Sequence, residues 1–266
     1  MSTAAVMLVK DEADIILDTL AHLAWHVDAI YVSDNGSTDG TREILEGADA
    51  FIGAELHVSD DAEVGYWQSR KTTALAMRAL EDGHSWVVPC DADEVWFPQS
   101  EPGRAIRDYF DGLAPDVMIV RAQMFHHIPT ALDQAEQQVP SALERIVWRK
   151  RQPAEARFGK VAARLRPDLI IAAGNHAAFT DGTALEVGGL ELRHFSWRTP
   201  EQFVRKIRNG IAAYEATDIP VSTGQHWRSW ADKSDEAIAE HFRTWFWARH
   251  PGRDDSLEIA PAPVRR

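Results

Sequence analysis

The chain is expected to fold as an α/β protein, a Rossmann-type, mostly parallel sheet flanked by helices, with a C-terminal helical segment. Three observations lead there. Short apolar runs alternate with amphipathic stretches over the first hundred residues; small and acidic residues follow the apolar runs directly; and the late part of the chain carries capped helical patterns without that alternation.

The first apolar run, Ala4 to Val9, reads as a strand. From Asp11 to His26 the residues Ile15, Ile16, Leu20, Leu23 and Val27 recur at helical spacing behind Asp11, whose carboxylate suits an N-cap. Ala29 to Ser33 is a second strand, Asp39 to Leu45 a short helix and Ala50 to Leu56 a third strand. A longer helix from Tyr66 to Leu80 carries Ala74, Leu75, Met77 and Leu80, and Trp86-Val87-Val88 makes a fourth strand. A series of this kind predicts a doubly wound sheet whose ligands gather at the carboxyl ends of the strands.

After Pro98 the rhythm loosens into a helix from Glu101 to Leu113, a strand from Val117 to Ala122, an irregular stretch from Phe125 to Val139 and a strand from Val187 to Phe195. Thr199-Pro200-Glu201-Gln202 supplies a cap, a proline in the first turn and a glutamine three residues after the cap, so a helix begins there and continues through Phe203, Ile207 and Ile211. Asp235 to Arg249 is a last helix, and the proline-rich, charged run from Pro251 reads as a frayed tail. The expected division is one main domain over residues 1–230, in halves 1–97 and 98–230, followed by a helix and tail over 231–266.

A chain of 266 residues can bury a core without staples. Its 28 basic and 41 acidic residues give a net charge of −13, which repels phosphate backbones and anionic lipid, so nucleic acid is excluded as a partner. An anionic small ligand would need a local remedy, and a divalent cation held by carboxylates is one. Cys90 is the single cysteine, which rules out an intramolecular disulfide and a cysteine-rich zinc site. Met1 to Lys10 lacks the basic leader and apolar length of a signal peptide, and no later run approaches about 18 apolar residues. The expectation is a cytoplasmic chain with no integral membrane segment. Ten tryptophans are present and gather late, at Trp197, Trp227, Trp230, Trp245 and Trp247, where a core role is favoured over a sugar platform or a partner surface.

Two segments carry the chemistry. In Val87-Val88-Pro89-Cys90-Asp91-Ala92-Asp93-Glu94 a buried strand ends in three carboxylates, a donor set suited to Mg²⁺ or Mn²⁺, which prefer oxygen and complete their shells with water and substrate phosphates. The bland alternative is a solvated acidic turn. In Tyr31-Val32-Ser33-Asp34-Asn35-Gly36-Ser37-Thr38-Asp39-Gly40-Thr41 a second strand runs into a glycine-containing turn that either caps a helix with Asp39 or places Asp34 to bond a base or ribose.

Together with Val9-Lys10-Asp11-Glu12 after the first strand, these segments resemble family 2 glycosyltransferases of the GT-A fold, in the bacterial branch with a Lys/Arg-Asp-Glu start. The likeness is specific over about residues 4–97 and diffuse later. It implies a nucleotide-diphosphate sugar, UDP- or GDP-linked, a divalent Mn²⁺ or Mg²⁺ at the Asp-x-Asp motif, and direct displacement with inversion onto the hydroxyl of a glycan or small-molecule acceptor. Residues 1–97 would be the nucleotide-sugar half and 98–230 the acceptor half. Carried over, Lys10, Glu12 and Asp34 lie near the nucleoside, Asp91 and Ala92 near ribose and metal, and Asp93 on the metal. The late segment Leu192-Arg193-His194-Phe195-Ser196-Trp197-Arg198 and the helix holding Arg205, Lys206 and Asn209 match the branch in part, which makes His194 a third metal ligand, with His176 as competitor. Lys206 with Asn209, or Arg70 with Lys71, would neutralise diphosphate; a solvated face is the alternative for both.

The departure from the family concerns the base. Inverting members show a Glu-Asp or similar pair well after the Asp-x-Asp motif, and no such pair occurs between Phe97 and Asp235. Asp181 is the substitute by sequence distance, with Glu144 and Glu136 as rivals and a plain turn residue as the alternative. Two other functions compete. A sugar-phosphate nucleotidyltransferase shares the acidic α/β site, but its first strand is usually followed by a glycine-rich, arginine-containing loop, unlike Lys10-Asp11-Glu12. A non-catalytic module that binds nucleotide or glycan, or scaffolds a partner, is the other.

Overall fold

The computed structural model describes residues 1–135, 141–182 and 184–265. Its first part is the expected alternation: β1 (Thr3–Val9), α1 (Ile16–His26), β2 (Ala29–Asp34), α2 (Thr41–Ala48), β3 (Glu55–Asp60), α3 (Gln68–Glu81) and β4 (Trp86–Pro89). The chain continues through β5 (Glu94–Pro98), α4 (Ile106–Asp111), β6 (Val117–His126), α5 (Ala131–Ala135), α6 (Ala142–Arg145), β7 (Trp148–Lys150), β8 (Lys160–Arg164), β9 (Ile170–Ile171), β10 (Ala178–Phe179) and β11 (Leu185–His194). It closes with α7 (Pro200–Glu215), α8 (Gln225–Arg228), α9 (Asp235–Phe242) and β12 (Leu257–Ile259).

Eight strands form one sheet in the order β3-β2-β1-β4-β8-β6-β11-β5. β3, β2, β1 and β4 are all parallel, β8 runs against both neighbours, β6 and β11 are parallel, and β5 closes the edge antiparallel. This is the mixed, GT-A-like α/β architecture, with helices packed on both faces. One face rests on α1 and α2 through Ile16, Leu20, Leu23 and Leu45, the other on α3 through Leu75, Ala76 and Ala79. β1, β2 and β4 are buried on both faces, so their sequences read as continuous apolar runs.

The differences from expectation have local causes. Asp11 does not cap α1, which begins at Ile16 behind Ile15 with no side-chain cap. Asp11 has a φ of 55° and turns its carboxylate to the neighbouring loop instead. The third strand starts at Glu55 rather than Ala50, because its register is set by pairing with Ala29 of β2, and an edge strand tolerates the polar residues that hid it. Phe51, which drew the strand forward, is exposed. The segment after Phe125 is not irregular throughout: β6 runs on to His126 and α5 follows, while residues 136–140, including Glu136, lie outside the described residues. The last helix leaves α-geometry after Phe242 and continues as a wide π turn over Arg243–Trp247.

The tail does not fray. β12 pairs antiparallel with β7, Leu257 is buried, and Ala262 and Val264 pack against Ile15, Val95 and Phe195. Beside it, Trp197, Trp227, Trp230 and Trp247 pack around Phe203, Ile207, Phe242 and Phe246, while Trp245 stays exposed. The late tryptophans are mainly core, as expected. None of the described helices is long and apolar enough to cross a membrane.

Two buried rings in α1 set an acid limit on stability. His22 Nε2 lies 2.8 Å from the Trp96 carbonyl while its Nδ1 accepts from Arg265 N at 3.1 Å, and His26 Nδ1 accepts from Ile106 N at 3.2 Å. Burial pushes the two rings down to about 4 and about 2. The unfolded chain therefore binds more protons than the folded one below the free histidine range, so this contribution is complete above about pH 6.5 and is lost as pH falls towards the folded values. Urea unfolding should give each ring a loss of roughly 2 kcal/mol between pH 7 and pH 5. Equal midpoints at the two pH values would show that the rings titrate freely.

Candidate active site

Because β1 to β4 are parallel, the loops after them open on one edge of the sheet, and each delivers a carboxylate there: Asp11 and Glu12, Asp34, Asp61, and Asp91 with Asp93. The first two loops are stitched together. Thr38 N donates to Asp11 Oδ1 at 2.6 Å, Glu12 N to Thr41 Oγ1 at 2.8 Å and Ala13 N to Asp39 Oδ2 at 3.1 Å. Asp34 Oδ1 accepts from Ser37 N at 3.1 Å and from Ser37 Oγ at 2.5 Å, which bends the turn back on the end of β2. Lys10 Nζ is taken up by the carbonyls of Asn35 at 2.7 Å and Gly36 at 3.3 Å, so it braces this turn.

The third loop joins through Asn35, whose Nδ2 donates to the Asp61 carbonyl and to Asp61 Oδ2, both at 3.0 Å. Asp61 is also ion-paired with Lys71. Of the two adjacent cations on α3, Lys71 thus faces inward, whereas Arg70 is largely exposed and pairs with Glu63. Helical geometry separates consecutive residues by about 100°, which the sequence could not resolve without knowing the face α3 buries.

Two buried ion clusters hold the Asp91-Ala92-Asp93-Glu94 segment. In the first, Lys160 at the start of β8, 3% exposed, lies 2.5 Å from both Asp91 Oδ2 and Glu94 Oε1. Glu94 Oε2 accepts from Asp91 N and Trp96 Nε1, both at 3.0 Å, and Asn175 Nδ2 reaches Asp91 Oδ1 at 3.3 Å. Burial raises the Glu94 carboxyl despite Lys160; burial also opposes the charge on Lys160, but Asp91 and Glu94 outweigh it and hold the ammonium above its ordinary value. Ala92 is buried and its carbonyl accepts from Thr19 Oγ1 at 2.6 Å, fixing the loop to α1.

In the second cluster Asp93, 1% exposed, pairs with Lys206 of α7, lies 3.7 Å from Arg198 and 3.4 Å from His194 Nε2. Lys206 also reaches Glu12 Oε1 at 3.1 Å, and the fully buried Arg198 bonds Glu12 and, at 2.7 and 2.9 Å, Asp14. Burial works against the Asp93 charge, yet Lys206, His194 and Arg198 overcome it and keep the carboxyl well below the usual range. α7 is brought here by the expected cap, in which Thr199 accepts from Gln202 N at 3.2 Å. Further along the helix Asn209 Nδ2 donates to Asp11 Oδ2 at 2.8 Å, and Arg205 lies 3.5 Å from Asp39. α7 therefore lies across the carboxyl ends of β1, β2 and β4.

Among the described residues no three His, Cys, Asp or Glu side chains are grouped to hold a metal ion. Asp91 is turned to Lys160 and Asn175, away from the expected triad. Asp93 Oδ1 and His194 Nε2, 3.4 Å apart, do offer an oxygen and a ring nitrogen at about the spacing of adjacent ligands, and Mg²⁺ or Mn²⁺ often takes only one or two protein donors, leaving the rest to water and phosphate. That pair fits a divalent cation; Asp91 fits only if Lys160 releases it.

Asp181 is not brought to this edge. It is exposed, its amide donates to Asp168, and it lies at the base of the β9–β10 hairpin, whose opposite tip carries Asn175. Glu144 sits exposed in α6. His176 is part-buried with Nδ1 3.3 Å from the Gly159 carbonyl, and burial lowers its pKa. His126 at the end of β6 was not singled out by the sequence, nor were Lys160, Arg198 and Asn175; His126 packs with ring centroids 5.2 Å from His194. One signal for Lys160 was present, a lysine leading the apolar run Val161-Ala162-Ala163, where a buried charge requires a partner.

No protein-family model and no curated protein matches the chain in sequence. Among solved structures, the crystal structure of S. aureus TarS 1-349 is 14% identical, with a TM-score of 0.43 over 92% of this chain and 72% of that one. The same S. aureus protein in complex with UDP is 13% identical, with a TM-score of 0.41 over 92% of this chain and 78% of that one. HddC from Yersinia pseudotuberculosis is 11% identical, with a TM-score of 0.31 over 47% of this chain and 59% of that one.

Proposed function

We propose that the protein transfers a sugar from a nucleotide-diphosphate sugar, UDP- or GDP-linked, to an acceptor hydroxyl with inversion. The observation that carries this reading is the row of carboxylates at the ends of β1, β2, β3 and β4, closed by a lysine on each side of the Asp91–Asp93 pair, Lys160 buried and Lys206 part-buried. Parallel strand ends take the nucleoside, with Asp34 and Asp61 on that side. Lys206, and Lys160 from β8, supply the positive charge that a leaving diphosphate demands where it develops, in a low-dielectric pocket where such charges act strongly.

Asp93 and His194 would hold the divalent cation, which supplies further neutralisation of the leaving diphosphate when bound. The clusters around Asp91 and Asp93 contain six carboxylates, Glu12, Asp14, Asp39, Asp91, Asp93 and Glu94, against the cations Lys160, Arg198, Lys206 and Arg205. An excess of negative charge facing an anionic donor is what a metal would relieve.

Incubation with labelled UDP- and GDP-sugars tests the reading: free nucleoside diphosphate with transferred or hydrolysed sugar supports it, while pyrophosphate chemistry or binding without turnover replaces it. Thermal shifts with nucleoside diphosphates, with and without Mn²⁺, test the cation. Asp34→Ala is expected to weaken donor binding by ~1 to 3 kcal/mol, because it removes both the free carboxylate oxygen and the Ser37 anchor of the turn. Calorimetry showing unchanged donor affinity would remove Asp34 from the nucleoside site.

A further inference from the structure

A cavity of about 400 Å³ opens beside this centre, walled by His126, Lys150, Arg151, Gln152, Asp255 and Ser256. Its place in the fold is fixed by two contacts. His126 stacks obliquely on His194, which faces Asp93, and β7 is held against the C-terminal segment by β12. The cavity is thus on the β6 side of the centre, across from the strand ends that carry Asp34 and Asp61.

Three cations follow one another at β7, and the middle one differs. Arg149 pairs with Glu258 at 2.7 Å and Arg151 with the same carboxylate at 3.2 Å, whereas Lys150 reaches only Ser256 Oγ at 2.9 Å and has no carboxylate within ion-pairing distance among the described residues. An ammonium carries three donors, so two remain for a ligand. Gln152 and His126 line the same space, and their side chains make no hydrogen bond among the described residues. In a chain with a net charge of −13, an ammonium that forms no direct ion pair in an open cavity, acting on the Asp254 carboxylate only at longer range, is an anion-binding feature. The exposed Asp255 carboxylate in the wall adds an acceptor for hydroxyl groups. The volume falls in the range of small-molecule sites, about 300 to 1,000 Å³.

We propose that this cavity is the acceptor subsite and that the acceptor is an anionic, hydroxylated molecule, a sugar or polyol bearing a phosphate or carboxylate that Lys150 binds. Its being an acceptor site rests on the transferase reading; its selectivity for an anion does not. Calorimetry on the full chain with glucose 6-phosphate, glucuronate and glucose tests both parts. At least one of the two charged probes should bind about tenfold tighter than glucose or better, Lys150→Gln should erase that advantage, and Lys150→Arg should retain it. Which charged probe wins distinguishes a phosphate from a carboxylate. Equal binding of glucose, full binding by Lys150→Gln, or displacement of the charged sugar by UDP would overturn the proposal. UDP titrated into the same variants separates the two ideas: wild-type protein that binds charged sugar but no UDP or GDP sinks the transferase reading and leaves the anion site standing. Protein that binds UDP but shows no preference for charged sugars sinks the acceptor proposal alone.

Discussion

Asp93→Asn is expected to lower sugar transfer by about 100- to 1,000-fold or more, the scale found when one charged or hydrogen-bonding element is removed from a preorganised site. The substitution keeps the size of the side chain and removes one negative charge from a pocket where Lys206, Arg198 and His194 all face it. Two consequences follow. The oxygen and nitrogen pair that fits a divalent cation loses its anionic member, and Lys206 is left with Glu12 alone to position it. Donor turnover at saturating Mn²⁺ is the measurement, accompanied by circular dichroism to show that the sheet persists. Wild-type turnover in Asp93→Asn at ordinary metal concentration would dismiss both the metal role and the positioning role of this carboxylate.

Lys160→Met should produce the largest loss of stability, ~3 to 5 kcal/mol, the cost of leaving a buried ion pair broken on one side. Lys160 is the cation that faces both Asp91 and Glu94, and Glu94 is fully buried. Without the ammonium, Glu94 is expected to take up a proton, since burial already pushes its carboxyl upward and the remaining neighbour Asp91 adds to that. The destabilisation should then be smaller at pH 5 than at pH 7 relative to wild type, because protonation of Glu94 costs less there. A double variant, Lys160→Met with Glu94→Gln, should recover part of the loss, and a urea-denaturation cycle gives the coupling between the two residues. Additive losses in that cycle would mean that the 2.5 Å ion pair contributes nothing specific.

The two results bear on the same question from different sides. Lys160 is held by carboxylates on one strand-end loop, and Lys206 by carboxylates on two, so each lysine is pre-positioned before any ligand arrives. Such preorganisation is stabilising only while every charge keeps a partner, which is why removal of either sign is expected to cost more than an exposed ion pair.

What the sequence by itself determined is local. Apolar runs of three to six residues marked β1, β2 and β4 because strands buried on both faces have no polar alternation to confuse, and the Thr199-Pro200-Gln202 cap marked the start of α7 because capping is satisfied within four residues. With parallel strands established, the row Glu12, Asp34, Asp91 and Asp93 at one edge follows from topology alone. The tertiary structure decided the partners. Lys160 meets Asp91 across 69 positions, Lys206 meets Asp93 across 113, and Arg198 meets Glu12 across 186, distances over which no periodicity or cap carries information. It also decided which of Arg70 and Lys71 points inward, that Asp181 stays at the far end of its hairpin, and that the C-terminal run forms β12 on β7. Each of these depends on which faces are buried and which strand edges are left to pair, and those are properties of the assembled sheet.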